Sequence, residues 1–275
     1  MLLNRLARAT SLTTVLVWLF AGAAAYPAPS PALKAALQLA DSGAESRLDE
    51  ELQQELCFAL IRSDEFAAAQ SRAATLPAFR HATVLLELAR RLPAERRAEA
   101  EKLLSTAQSD LDLTLDWHKS RVSRWLAVTQ AKLGQLEIAA KSARAVPDAE
   151  DRAFALRDVV LEFSRRGEVA LARELRDAIE ENRRYGTYRQ KAAALSAIAR
   201  ALHAKGDRAG AEALLTQAAS LLPKKPGWSD GGALLSVGLA GHACGQTDKA
   251  GELFNRAGAL ARGIGGAWKV SELTA

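Results

Sequence analysis

Apolar residues recur along this chain at intervals of three and four, the period of one helix face. The pattern is sharpest between 192 and 223. Leu195, Ile198, Ala199 and Leu202 form one stripe, Gly206-Asp207 interrupts it, and Ala211, Leu214, Leu215 and Ala218 form a second. Two helices joined by a short turn cannot bury both stripes alone, so they require neighbours of the same make. Copies are present. Gly206 precedes Ala211 by five residues, and the same interval links Gly134 to Ala139, Gly167 to Ala172 and Gly245 to Ala250. The glycines are 33, 39 and 39 residues apart. Glycine suits such a turn because the chain leaves the first helix through a left-handed conformation. Upstream, Asp64 before Ala69 and Glu95 before Ala100 keep the interval without glycine.

The pattern predicts helix pairs over 48–76, 81–107, 119–146, 152–179, 189–222 and 231–260. Extra residues collect between pairs, at 109–118, 180–188 and 223–230, while Pro77, Pro93, Pro147 and Pro223 fall at helix boundaries. Nowhere do apolar and polar residues alternate over a strand's length, so almost no sheet is expected.

The termini read differently. Residues 1–25 carry Arg5 and Arg8, an apolar run from Leu12 to Phe20, and Ala23-Ala24-Ala25, which together predict a cleavable export signal. The run is too short to span a bilayer, so no stable membrane insertion is expected after cleavage. The expected location is therefore the periplasm or the exterior of a bacterial cell. Residues 26–46 read as a Pro-rich linker and a capping helix, 47–262 as the repeat array, and 263–275 as a C-terminal capping helix or tail. Losing Arg5 and Arg8 with the leader lowers the net charge from +5 to +3. No dense basic stripe interleaved with aromatics exists, so nucleic acid is not the expected partner. Cys57 and Cys244 read as small buried helix residues, with an intermolecular bridge through Cys244 as the alternative.

The residues Leu195, Ile198, Ala199, Leu202, Ala211, Leu215, Ala218 and Pro223 resemble the signature of the tetratricopeptide repeat family. Three further copies keep part of it. Leu126, Ala127, Gly134 and Ala139 fit, with Ser123 and Gln130 where bulk is usual; Leu156, Phe163, Gly167 and Ala172 fit, with Arg176 out of pattern. Leu234, Val237, Gly238, Ala250, Phe254 and Ala257 fit, with Gly241 in place of a large residue. The resemblance implies an all-α fold, a right-handed α-solenoid of about six antiparallel helix-turn-helix repeats, in which first helices line a concave groove. A related helical solenoid is the second reading.

In the groove-lining register of that family stand Ser196, Arg200 and His203, then Arg124, Val128 and Ala131, then Arg157, Leu161 and Ser164, and Leu235, Leu239 and His242, with Arg121 one turn before Arg124. Arg121, Arg124, Arg157, Arg200 and His203 are thus the expected groove residues, able to receive an acidic or C-terminal peptide through charge-assisted bonds. The plainer reading leaves the arginines in solvent or paired with nearby acids. Val128 stands where the family's chaperone-binding branch needs Asn, so that branch is not assigned. His203 and His242 occupy equivalent slots but lack a third ligand, and no metal or cofactor is expected. Gly227-Trp-Ser-Asp-Gly231 matches a nucleophile-elbow pattern with His242 downstream, yet Lys224-Lys225-Pro226 precedes it where a strand is required. Trp117, Trp228 and Trp268 recur near first-helix starts, either as staples onto the preceding helix or as sticky points along a rim. The expectation is a non-catalytic scaffold or adaptor for a protein or peptide. The alternatives are a scaffold subunit of a periplasmic glycan-processing or envelope-assembly system and, third, a hydrolase using Ser229 and His242.

Overall fold

The computed structural model describes residues 50–263. The expected leader, linker, N-terminal cap and C-terminal cap lie outside the described residues. In chain order the helices are α1 Glu50–Arg62, α2 Phe66–Ala73, α3 Ala78–Arg91, α4 Arg97–Asp112, α5 Asp116–Lys132 and α6 Leu136–Arg144. They continue as α7 Ala149–Arg165, α8 Val169–Asp177, α9 Thr187–Ala204, α10 Arg208–Leu221, α11 Gly231–Ala243 and α12 Thr247–Gly263. Short 3-10 turns occupy Ala94–Arg96 and Trp228–Asp230. Among the described residues there is no strand. None of these helices is long and apolar enough to cross a membrane.

One turn recurs five times. Asp64, Gly134, Gly167, Gly206 and Gly245 all have positive φ, between 60° and 87°. The residue that follows each one donates its N–H back to the carbonyl five positions earlier. These bonds are Glu65 to Leu60, Gln135 to Gln130, Glu168 to Phe163, Asp207 to Leu202 and Gln246 to Gly241, at 2.8–3.0 Å. That is the Schellman closure of a helix end. The same residue then opens the next helix, because its carbonyl accepts from Ala69, Ala139, Ala172, Ala211 or Ala250 at 2.9–3.1 Å or within it. The five-residue interval is therefore the length of a turn in which one residue closes one helix and starts another. All five alanines are buried, as is Ala100. The Glu95 turn is built otherwise: Pro93 opens a 3-10 turn over Ala94–Arg96, and Glu95 has no positive φ. Proline fixes the entry there, so no left-handed residue is needed.

The starts of α3, α5, α7 and α9 lie two or three residues earlier than periodicity alone indicates, while α11 begins at Gly231 as expected. Asp148 caps α7 by accepting from the Glu150 and Asp151 amides, both at 2.9 Å. Asp207 caps α10 through the Gly210 amide at 2.8 Å. The linking segment expected at 109–118 is largely helical, divided between the ends of α4 and α5.

The chain divides into two compact units, Met1–His118 and Lys119–Ala275. In the first, α1 packs on α2 and α3, and α3 on α4. In the second, α7 packs on α8 and α9, α9 on α10 and α11, and α11 on α12. Close approach within pairs depends on a small slot seven residues before each left-handed position. Cys57, Ala127, Ala199 and Gly238 fill it, with Val160 in the fourth pair, and all are buried. At Gly238 a Cβ would stand 2.7 Å from the Phe254 ring. Cys57 is free and fully enclosed, and burial pushes its thiol up to about 11.

Gln130 sits where Leu60, Phe163 and Leu202 stand in other pairs, is 2% exposed, and leaves its side-chain Oε1 without a partner. A buried acceptor without a donor costs about 1–3 kcal/mol. Gln130→Leu is expected to raise the unfolding free energy in urea by about 1–2 kcal/mol; a decrease would mean that the amide does structural work in solution.

Candidate functional site

Two of the five expected groove residues, Arg124 and Arg157, meet at the middle of α5 and α7, beside the start of α9. Arg124 on α5 donates from Nε and Nη2 to Oδ2 of Asp158 on α7, at 3.2 and 3.0 Å. Arg157 reaches the other oxygen of the same carboxylate, from Nε at 2.8 Å and also from Nη2. Its Nη1 donates to Gln190 Oε1 on α9 at 2.7 Å. Both guanidinium carbons lie over the Phe154 ring, 4.5 and 5.0 Å from its centroid. The centre is thus one carboxylate held by two cations that also contact one aromatic ring. The side chains of Arg124, Arg157 and Asp158 are 27%, 23% and 20% exposed, so water reaches the group from one side.

Arg121, one turn earlier on α5, is exposed. Opposite it, Asp151 is raised above the ordinary carboxylate value by burial, and further by Asp148, against the pull of Arg124 and Arg121. Asp148 joins the same corner by donating its N–H to Ser120 Oγ at 3.1 Å. Arg200 is exposed, ten residues beyond Gln190 on α9, hence roughly 15 Å along the helix axis. His203 lies half-buried one turn further. Among the described residues neither forms a hydrogen bond or ion pair with the Arg124–Arg157 cluster. Of the four arginines, then, Arg124 and Arg157 form a pair on one carboxylate, Arg121 stands exposed one turn before Arg124, and Arg200 lies separately, later on its helix.

A second network locks the loops before α9 and α11. The Tyr188 hydroxyl donates to Oδ1 of Asp230, whose other oxygen accepts the Gly227 amide at 2.8 Å. Asp230 is 3% exposed. Arg189 completes the network, with Nη1 2.7 Å from Ser229 Oγ and 3.6 Å from Asp230 Oδ1. Burial, then the Asp230 contact, raises the Tyr188 phenol above its usual value. Ser229 therefore stands in a 3-10 turn as the acceptor of an arginine, while His242 is near the far end of the 13-residue α11. That separates the two by roughly 18 Å, so they do not make a nucleophile–base pair. The staple expected of Trp228 is not formed, since its side chain is 74% exposed. Tyr188 is the buried aromatic at this junction instead, with its hydroxyl donating to Asp230.

A cleft beside the start of α7, edged by Arg152, Asn182 and Tyr185, has a volume of about 80 Å³. Sites for drug-sized ligands begin near 300 Å³, so this one holds a few waters. In the first unit His81 Nδ1 lies 2.8 Å from Asp110 Oδ2, and the His118 ring stacks on Phe79 with centroids 3.7 Å apart. Among the described residues no three His, Cys, Asp or Glu side chains converge as metal ligands.

Phe154, Asp158 and Gln190 were not singled out from the sequence. A detectable signal exists: Phe154 stands one 33-residue period after Arg121, and Asp158 follows Arg157 directly. Compared with protein-family models, curated proteins and solved structures, the chain matches none.

Tyr188→Phe removes the donor to a buried carboxylate and is expected to cost about 1.5–3 kcal/mol at neutral pH. Because the folded state holds the phenolic proton more tightly than the unfolded chain, stability falls as pH rises past about 10. Urea titrations at pH 9 and 11 should show that fall in the parent and a smaller one in Tyr188→Phe; equal slopes would contradict the network.

Proposed function

We propose that the chain is a non-catalytic adaptor, an exported tetratricopeptide-like solenoid of about six helix pairs that holds a protein or peptide on its first-helix face. The observation that carries this reading is the pairing of Arg124 and Arg157 around Asp158 and Phe154. Two guanidiniums there already converge on one carboxylate, each taking a different oxygen, and both lie against the Phe154 ring. Such a group recognises an acidic side chain followed by an apolar one, by exchange with the internal carboxylate or by extension of the cluster toward exposed Arg121. Arg200 and His203 offer a second contact further along α9.

Two features support a scaffold over an enzyme. The five recurring turns build stiff hairpins whose first helices pack in succession within each unit, the arrangement that repeat proteins use to display an extended surface. The cleft beside α7 is far smaller than a substrate site, and Ser229 is engaged by Arg189.

Crosslinking in intact cells identifies the partner, and affinity for its purified segment then tests the face. Arg121→Glu with Arg200→Glu, both exposed and outside the internal ion pairs, is expected to weaken binding about tenfold or more through loss and reversal of charge-assisted contacts. Undiminished affinity in a normally folded double variant would refute the basic-face reading.

A further inference from the structure

The two loops that precede α9 and α11 form one rim of the second unit, and we propose that this rim docks on an anionic lipid surface. Their adjacency rests on a single side chain. Arg189 Nη1 donates to Ser229 at 2.7 Å, while its Nη2 lies only 1.9 Å from where a Cβ on Gly186 would be. Gly186, at φ 69°, is thus required both by its backbone and by the guanidinium lying against it. One guanidinium therefore touches the neighbour of Tyr185 in one loop and the neighbour of Trp228 in the other. The Tyr188–Asp230 bond beneath it fastens the loops a second time.

What the rim presents is basic and aromatic together. Tyr185 is 48% exposed and Trp228 74%, the latter among the most exposed large apolar side chains of the described residues. Beside them stand Arg183 and Arg184 in one loop and Lys224 and Lys225 in the other, all exposed. None of the four cations forms an ion pair among the described residues. Arg183 lies over the Tyr188 ring at 5.4 Å and Arg184 over Tyr185 at 5.8 Å, so both are held against the aromatic layer. The acids of the same rim are few. Glu181 is bound to Lys191 at 3.0 Å, Asp230 is buried in its network, and Glu180 is exposed.

Tryptophan and tyrosine favour the headgroup level of a bilayer, where an amphipathic ring satisfies both its apolar body and its polar edge. Lysine and arginine beside them gain from the negative surface potential while their aliphatic stems lie along the interface. An acidic polypeptide would neutralise the four cations but leave an exposed tryptophan without a role. A nucleic acid would call for a longer basic track with several stacking rings. The lipid surface uses both halves of the rim. This inference is independent of the adaptor reading, since it involves none of Arg121, Arg124, Arg157 or Arg200.

The test measures binding of the full chain to vesicles of phosphatidylglycerol mixed with phosphatidylcholine, and to phosphatidylcholine alone. Each cation at such a surface strengthens binding by about fivefold. With four cations the parent is expected to prefer the anionic vesicles by roughly 600-fold at low salt, and less as ionic strength rises. Lys224→Glu with Lys225→Glu should lower affinity for the anionic vesicles by about 25-fold or more. Trp228→Phe should lower the quenching of tryptophan emission by brominated lipid relative to the parent, the remainder arising from the other four tryptophans. Parent and variants carry the same N-terminal segment, so its contribution cancels in the comparison. Equal binding to both vesicle types, an unchanged preference in the folded double variant, or displacement of the vesicles by polyglutamate at equal charge would overturn the proposal.

Discussion

Everything else in this fold depends on one residue serving two helices. The residue after each left-handed position gives its N–H to the outgoing helix and its carbonyl to the incoming one. A helix end normally leaves four carbonyls and a helix start four amides without partners. Sharing one residue between them shortens the connection and fixes the direction in which the second helix departs. An alanine at the second helix's first bonded amide then lies buried against its neighbour, and a small residue seven positions before the turn lets the first helix approach. At Gly238 a larger group would push the pair apart, because the Phe254 ring lies beneath it, whereas the fourth pair accommodates Val160 in the same slot.

The exposed chemistry of the second unit follows from this rigidity. Because α7 is fixed against α8 and α9, Asp158 stands where arginines from its own helix and from α5 both reach it. Part of the positive charge on that face is thereby neutralised internally, and Phe154 becomes the centre of a cation–aromatic group. A partner would meet a structured acceptor rather than a diffuse basic field. The longer loops before α9 and α11 are built the same way, with Tyr188, Arg189 and Asp230 converting inserted residues into a firm edge.

The turns were legible in the sequence because the bonds that make them span only five residues. Glycine at four positions and alanine five residues on were enough to locate them, and Asp64 follows the same rule with a side chain that tolerates the left-handed region. The Glu95 turn was not legible in its detail, since Pro93 imposes another geometry. In the site, helix register put Arg124 and Arg157 in the same slot of successive first helices, and the two share one carboxylate. It did not reveal their acceptor, because Asp158 belongs to one helix and serves a second, a relation set by packing rather than by spacing. Arg200 occupies the slot of Val128 and Leu161, one turn beyond that of Arg124 and Arg157, which Ser196 fills on α9, so its height along the helix sets it apart from Gln190, where Arg157 ends. Trp228 was assigned by its position before a helix, which says nothing of whether the ring turns inward.

The most direct measurement is native-state hydrogen exchange at the amides of Gln135, Glu168, Asp207 and Gln246. Each sits in a connection that would exchange freely if it were an ordinary loop. The shared-residue turn predicts protection comparable with that of neighbouring helix-interior amides. Exchange at the rate of unstructured chain at these four positions, while the flanking helices stay protected, would contradict it.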